Sequence, residues 1–176
     1  MRHALIRHPD SPDSAASHIE VEATRQRPDN LLLTYIVTGR IGDLRLPAAI
    51  ASARADALWQ HTCFEAFLRT SGDAYHEYNF SPSTQWAAYR FSGYRQGMSI
   101  APEVAPPGIE TRTTSNHYEL RTSLELHSLA AATWRLALSA VIEETSGRKS
   151  FWALAHPPGK PDFHHADGFT LELPPP

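Results

Sequence analysis

The chain has 176 residues, enough for one domain with a sizeable core, and its 16 basic and 19 acidic residues give a formal net charge of -3 without a long run of either sign. This balance disfavours nucleic acid and anionic membranes as partners. The single cysteine, Cys63, excludes an internal disulfide framework, and we expect it to be a small buried apolar residue.

The N-terminal residues, MRHALIRHPDSPDSAASH, lack the apolar core of a signal peptide, and no later segment approaches the roughly 18 consecutive apolar residues of a membrane-spanning helix. We therefore expect a cytoplasmic protein. Residues 1–17 are predicted to be a flexible lead-in, because their PDSPDSAAS stretch is rich in Pro, Asp and Ser. A single domain is expected over residues 18–176.

Short segments with alternating polar and apolar residues fill the rest of the chain and are separated by turn residues, which is typical of an all-β sandwich or barrel. About ten strands are predicted, over residues 18–24, 31–39, 63–70, 74–80, 85–92, 108–114, 117–124, 134–144, 151–155 and 169–173. Helix is scarce: residues 47–60 and 124–134 are expected to add a turn or two at most. No internal repeat is visible.

Three neighbouring strands are predicted to form an antiparallel meander. Gly72-Asp73 joins the segments 63–70 and 74–80 into a hairpin, and the segment 85–92 follows a turn built on SPST. Alternation sorts each strand into a core set and an outer set. The predicted core sets are Phe64, Ala66, Leu68, His76, Tyr78, Phe80, Ala87, Tyr89 and Phe91. The predicted outer sets are Glu65, Phe67, Arg69, Tyr75, Glu77, Asn79, Trp86, Ala88 and Arg90.

The predicted outer face combines charged and amide groups with large aromatic rings. Rings supply flat contact area and carboxylate, amide and guanidinium groups supply fixed hydrogen-bond geometry, so this mixture suits a polar, planar ligand. A Glu opposite an Arg is equally an ordinary cross-strand pair that needs no ligand. Alternation alone leaves both interpretations open.

Three segments resemble the bacterial DOMON-like domains, which are similar to the family 9 carbohydrate-binding modules: LWQHTCFEAFLR (58–69), YHEYNFSPSTQWAAYRFSGYR (75–95) and FWALAHPPGKPDFHHADGFTLEL (151–173). The resemblance implies an immunoglobulin-like β-sandwich whose relatives bind sugars or haem. It further implies a sugar clamp in which Trp59 precedes the carboxylate Glu65, with Arg90 on a following strand and Trp152 as the second tryptophan. Alternation also allows Trp152 to lie in the core.

The first functional hypothesis is a non-enzymatic module that binds a carbohydrate or related polar metabolite through Trp59, Glu65, Asn79 and Arg90, with Trp152 and His156 as further candidates. An accessory or scaffold domain is the main alternative, with an exposed patch of Trp59, Phe67 and Trp86 that would bind a protein partner. No catalytic motif is present in the sequence.

Two hypotheses involve cofactors. A haem-binding redox domain would need an axial ligand such as Met98 with His117 or His156, although the chain has no Cys-x-x-Cys-His attachment motif. A metal enzyme would need His156, His164, His165 and Asp167, but adjacent histidines on an extended segment point to opposite sides. We expect no cofactor and no metal, and we expect His164 and His165 to form turn hydrogen bonds with Asp167.

Overall fold

The protein is an all-β sandwich. A computed structural model describes residues 2–176, in which twelve β-strands and four 3-10 helices of three residues each occur without any α-helix. No helix in this range is long and apolar enough to cross a membrane. The strands are β1 (Arg2–Arg7), β2 (Ala16–Arg27), β3 (Asn30–Gly39), β4 (Cys63–Arg69), β5 (Tyr75–Phe80), β6 (Trp86–Phe91), β7 (Ser99–Ile100), β8 (Gly108–Thr113), β9 (His117–Glu125), β10 (Trp134–Glu143), β11 (Lys149–Ala153) and β12 (Leu171–Leu173).

All strand pairs are antiparallel, and the chain curls into two sheets that share one edge. The first sheet has the order β8-β9-β3-β2-β1, and the second has the order β7-β6-β5-β4-β10-β11, with β12 beside the start of β10. β1 joins them, because it pairs with β2 along most of its length and with β11 at its end. The main apolar core fills the space between the two inner faces.

All ten predicted strands are present, and the two short helical turns fall where they were expected, at Leu58–Gln60 and His127–Leu129. The predicted hairpin of β4 and β5 and its extension by β6 are confirmed. Cys63 is fully buried, as expected. These elements were predictable because each is a separate alternating segment bounded by turn residues.

The N-terminal segment is ordered, contrary to the prediction of a flexible lead-in over residues 1–17. Residue 1 lies outside the described residues, but residues 2–7 form β1, and Leu5 is buried in the core. The Pro-rich stretch is held against the sandwich by several hydrogen bonds: the Ala15 N–H donates to Glu144 Oε1 at 2.9 Å, and the Phe151 N–H donates to Ser11 Oγ at 3.0 Å. The Pro-, Asp- and Ser-rich stretch is therefore an ordered connection between β1 and β2 and not a flexible one.

The predicted faces of β4 and β5 are correct, but those of β6 are reversed. Asn79 on β5 pairs with both Glu65 and Ala87, so Ala87, Tyr89 and Phe91 share the outer face with the two polar residues. Trp86, Ala88 and Arg90 therefore lie on the inner side of the sheet. The reversal was not visible in the sequence because the outer face of this sheet is itself covered, so that β6 carries apolar residues on both sides.

Gly39 allows the end of β3 to approach the connection between β1 and β2. Its φ is +147°, and an added Cβ would lie 2.2 Å from the carbonyl oxygen of Ala15. We expect Gly39→Ala to lower the free energy of unfolding by about 2 kcal/mol, because backbone must move on both sides. Urea denaturation measures this. Gly42→Ala is the matched control, since nothing lies within 4 Å of its added Cβ; equal loss in both variants would contradict the steric explanation.

Candidate functional site

A cleft of about 380 Å³ opens on the outer face of the second sheet. Its roof is the C-terminal loop, residues 154–170, which crosses over β4, β5 and β6 between β11 and β12. Its ionisable lining groups are Glu65, Glu77, Arg95 and His164, and its apolar lining groups are Trp59, Phe91, Met98, Val141, Phe151, Pro161 and Phe163. A concave apolar pocket with a few convergent polar groups is the usual form of a small-molecule site.

Two carboxyl groups from neighbouring strands form the floor of the cleft. Glu65 of β4 and Glu77 of β5 are 3% and 5% exposed. Asn79 Nδ2 donates to Glu77 Oε1 at 2.8 Å, and Ser139 Oγ donates weakly to Glu65 Oε2 at 3.4 Å. Burial raises the pKa of both carboxyl groups, and the charge of Glu77 raises the pKa of Glu65 further. Ionisation of one carboxyl group therefore disfavours ionisation of the other.

Arg95 brings a guanidinium group to the rim of the cleft from the segment between β6 and β7. Its Nη2 donates to Asp162 Oδ1 at 2.8 Å, and Tyr94 Oη donates to the other carboxylate oxygen of Asp162. Asp162 also accepts the backbone N–H of His164 at 3.1 Å. The hydrogen bonds from Tyr94 and Arg95 lower the pKa of Asp162 despite its partial burial. This ion pair anchors the C-terminal loop beside the cleft.

His164 enters the cleft from the loop as a neutral side chain. Its Nδ1 lies 2.8 Å from Tyr75 Oη, which also accepts the backbone N–H of Arg95; in the tautomer with the proton on Nε2, the Tyr75 hydroxyl donates to Nδ1. The remaining Nε2–H points toward Glu77 Oε2 at 3.9 Å, beyond hydrogen-bond distance. Burial, helped by the charge of Arg95, lowers the pKa of His164 to about 4. The ring also packs against Phe67 with centroids 5.0 Å apart.

The low pKa of His164 predicts an acid-sensitive loop. Its folded pKa of about 4 lies below the ordinary value of 6.5, so the unfolded chain binds the extra proton between these values and stability falls as the pH falls through that window. We expect the wild type to lose about 2 kcal/mol more than His164→Gln between about pH 7 and about pH 5. Urea denaturation of both proteins at each pH measures the difference; equal losses would show that His164 is not held neutral.

Aromatic and aliphatic side chains form the walls of the cleft. Trp59 follows the left-handed Ala57 in a 3-10 turn, contacts Tyr89 edge to face with ring centroids 6.1 Å apart, and remains 38% exposed. Phe151 of β11 and Phe163 of the C-terminal loop lie with centroids 6.2 Å apart on the opposite wall. Rings therefore flank the carboxyl groups on two sides, an arrangement suited to a flat polar ligand.

A second hollow, of about 510 Å³, lies on the outer face of the first sheet. It is lined by polar side chains such as Asn30, Glu110 and Arg121, and no aromatic ring lines it. Glu110 and Arg121 are exposed, so this surface is ordinary solvated sheet. The cleft on the second sheet is the stronger candidate because it combines enclosure with buried ionisable groups.

The structure brings together some of the predicted site residues. Trp59 and Glu65 both line the cleft. Asn79 is fully buried beneath it, where it holds Glu77 in place through the hydrogen bond of 2.8 Å. His156 lies one ring away from the cleft: it faces Phe163 at a centroid distance of 6.4 Å, and its Nε2 binds the carbonyl oxygen of Ile6 at 2.8 Å.

Arg90 and Trp152 are not part of the cleft, contrary to the predicted clamp. Arg90 is on the other side of the sheet and reaches Glu103 at 3.8 Å, because the register of β6 reverses its face. Trp152 is 5% exposed in the main core, where its Nε1 donates to Ser150 Oγ at 2.9 Å. The alternation of β11 gives the cleft position to Phe151 instead.

The predicted protein-docking patch does not form. Phe67 is 1% exposed under the C-terminal loop, and Trp86 is 4% exposed in the core beneath Arg54, whose guanidinium carbon lies 4.3 Å from its ring centre. Trp59 alone of the three is accessible. The prediction was wrong because it placed Trp86 on the outer face and left the loop that covers Phe67 out of account.

The residues of the cofactor hypotheses are dispersed. Met98 is 50% exposed at the mouth of the cleft, whereas His117 lies on β9 of the first sheet and neither it nor His156 lines the cleft. His165 Nδ1 accepts the backbone N–H of Asp167 at 3.3 Å, which is the expected turn hydrogen bond. The same expectation for His164 is wrong, since that ring turns inward to Tyr75.

Sequence reasoning did not select four residues that define the cleft: Glu77, Arg95, Phe151 and His164. Glu77 was assigned correctly to the outer face that carries Glu65, and its position diagonal to Glu65 across the hairpin was a signal that both belong to the same site. Phe151 could have been found by alternation, because it precedes Trp152 on the same strand and so points to the opposite face of the sheet. No local pattern indicates Arg95 or His164, because both lie in irregular segments whose path depends on the tertiary fold.

Comparison with known proteins finds similarity in fold. No protein-family profile and no curated protein sequence matches the chain. A candidate carbohydrate-binding protein from Bacteroides uniformis superposes with a TM-score of 0.68 at 14% identity, over 96% of this chain and 84% of that one.

Two structures of a family 9 carbohydrate-binding module from Caldicellulosiruptor kristjanssonii also superpose on the chain. The complex with cellotriose gives a TM-score of 0.54 at 12% identity, over 90% of this chain and 74% of the other, and the complex with glucose gives 0.50 at 13%, over 85% and 72%. The resemblance to family 9 modules is thus confirmed for the fold. The relation to DOMON-like domains stays a prediction.

Proposed function

We propose that the protein is a non-enzymatic carbohydrate-binding module whose ligand lies in the cleft between Trp59 and the C-terminal loop. The observation that carries the proposal is the pair of buried carboxyl groups, Glu65 and Glu77, on the floor of a cleft walled by aromatic rings. A volume of about 380 Å³ is at the lower end of the range of ligand pockets, which suits a mono- or disaccharide.

The chemistry of a sugar matches the cleft group by group. The apolar face of a pyranose ring stacks on an aromatic ring such as Trp59, while its edge carries hydroxyl groups. An ionised carboxylate accepts hydroxyl hydrogens in short, charge-assisted bonds, and the guanidinium of Arg95 donates to hydroxyl oxygens at the rim. His164 adds a neutral donor at Nε2.

The solved structures of similar fold support this proposal. The Bacteroides uniformis protein is a candidate carbohydrate-binding protein, and the Caldicellulosiruptor kristjanssonii module was determined with cellotriose and with glucose. These structures are of carbohydrate-binding modules or of a candidate carbohydrate-binding protein, and on this basis we propose binding without turnover. Cello-oligosaccharides incubated with the protein should be recovered intact. The cytoplasmic location stays a prediction.

Calorimetry with D-glucose, cellobiose and cellotriose tests the proposal, with tryptophan quenching to locate the site. Trp86, Trp134 and Trp152 are at most 5% exposed, so acrylamide quenching reports chiefly on Trp59. A bound sugar should protect this residue, and Trp59→Phe should remove the ligand-dependent signal. Absence of binding heat and of protection with every sugar would overturn the proposed function.

A further inference from the structure

The carboxyl pair on the cleft floor lacks a cation. Each acid has a single hydrogen-bond donor, Ser139 for Glu65 and Asn79 for Glu77, which leaves one oxygen of each without a donor among residues 2–176. No Lys or Arg nitrogen of these residues lies within 4 Å of either carboxylate, and the imidazole of His164 reaches only 3.9 Å from Glu77. Buried acidic groups are normally paired with a cation or fully hydrogen-bonded, so this pair calls for an explanation.

The surrounding groups do not supply the missing charge. Arg95 is the nearest permanent cation, but it is engaged by Asp162 at 2.8 Å. His164 is neutral at physiological pH, since burial lowers its pKa to about 4. Burial raises the pKa of Tyr75 and of the Cys63 thiol, so both also remain neutral.

The nearest acidic group on β10 is already matched. Glu143 on the outer face of that strand lies 2.7 Å from His61 Nδ1 and 3.2 Å from Arg45 Nη1. The strand otherwise presents Ser139 and Val141 to the cleft, and β11 presents Phe151. The floor is therefore the place within the cleft where a carboxyl pair has no Lys or Arg nitrogen within 4 Å, and the charge of Arg95 acts on Glu77 only from beyond that distance.

We propose that the cleft selects sugars that carry an ammonium group, the amino-sugar class, and that this ammonium lies against Glu65 and Glu77. An ammonium has three donors, enough for the two unmatched carboxylate oxygens and one further acceptor. It neutralises the pair where low dielectric strengthens the attraction, while the sugar ring keeps its contact with Trp59. The inference rests on the proposed function and narrows its ligand class.

The test compares three sugars of the same ring geometry by calorimetry: D-glucosamine, N-acetyl-D-glucosamine and D-glucose. At about pH 7 glucosamine should bind about tenfold more tightly than the two neutral sugars, because it alone carries the cation. The preference should shrink as the pH is lowered, because the raised pKa of both carboxyl groups favours their protonation and an uncharged pair attracts an ammonium less.

Glu77→Gln assigns the preference to the pair, because the amide keeps the shape and the acceptor for Asn79 but removes the charge. It should reduce the advantage of glucosamine over D-glucose to less than about threefold, read as the ratio of the two affinities so that a loss of binding common to both sugars cancels. Glu110→Gln is the matched control: Glu110 is an exposed acid of β8 that forms no ion pair with the described residues, and its variant should keep the full preference.

The outcomes separate the two proposals. Equal binding of all three sugars, or a preference that survives in Glu77→Gln, would overturn the amino-sugar inference and leave a carbohydrate-binding cleft. Binding of none of them, together with no binding of cellobiose or cellotriose, would overturn the proposed function and the inference with it. Circular dichroism of each variant confirms that it is folded.

Discussion

Trp59→Ala is expected to weaken sugar binding at least about fivefold while leaving the fold intact. Trp59 is the accessible tryptophan of the cleft, and its ring belongs to the cleft lining. Aromatic stacking and the accompanying burial of apolar surface contribute about 1–3 kcal/mol per ring, and each 1.4 kcal/mol is about a factor of ten in affinity. The side chain is 38% exposed, so its removal creates no enclosed cavity. Calorimetry with cellobiose measures the loss.

Two further variants make the result specific. Trp59→Phe keeps a smaller ring and should retain part of the affinity. Ile50→Ala removes an apolar side chain that is 57% exposed and is not part of the cleft lining, so it should bind as the wild type does. Wild-type affinity in Trp59→Ala, with its unfolding midpoint unchanged, would show that sugar binds elsewhere on the molecule.

The floor of the cleft could be predicted from the sequence because a hairpin encodes its own register. Gly72-Asp73 closes β4 onto β5, and period-two alternation then places Glu65 beside Asn79 and Glu77 on one face. Each step is local, within about twenty residues of chain. The side chains on this floor were therefore assigned to the correct face before any tertiary contact was known.

The walls and roof could not be predicted in the same way, because they depend on a layer that the strand pattern does not reveal. The C-terminal loop covers the outer face, so Phe67, Tyr89 and Phe91 form a second apolar cluster with Phe163. Because β6 carries buried apolar residues on both sides of the sheet, its sequence does not show which side faces the core. The face of Arg90 was therefore assigned wrongly. His164 was interpreted as a turn residue because its hydrogen-bond partner, Tyr75, is 89 residues away in the chain.

The N-terminal strand was not predicted for a related reason: its stability comes from partners at the far end of the sequence. β1 completes the first sheet beside β2 but also pairs with β11, through Ile6 with Ala153 and Arg7 with Trp152. Proline and serine nearby favour a loop when read locally, and only the closing of the sandwich supplies the hydrogen bonds that order them.

Arg25→Met is expected to lower the free energy of unfolding by about 3 kcal/mol, the largest stability effect that we predict. The Arg25 side chain donates five hydrogen bonds of 2.6–3.0 Å to backbone carbonyl oxygens, and its guanidinium carbon lies 3.6 Å from the ring centre of Trp134. The acceptors are Pro28, Ala130, Ala132 and Leu173. Methionine keeps the apolar stem but leaves these carbonyls without a donor, at about 1 kcal/mol or more for each that stays buried.

Arg25 thus links three segments by hydrogen bonds: the β2–β3 turn, the segment before β10, and β12. Because β12 follows the C-terminal loop, Arg25 also holds the end of that loop in place. Its loss should therefore speed hydrogen exchange in Leu171–Leu173 under conditions where the rest of the protein stays folded. The free energy of sugar binding should change less than the free energy of unfolding. Arg135→Met is the matched control, because Arg135 is 58% exposed and makes a surface ion pair with Glu172 at 2.9 Å that contributes less than about 1 kcal/mol. Urea denaturation compares the two variants; equal small losses would mean that water replaces the guanidinium at the four carbonyls and that these hydrogen bonds are not needed.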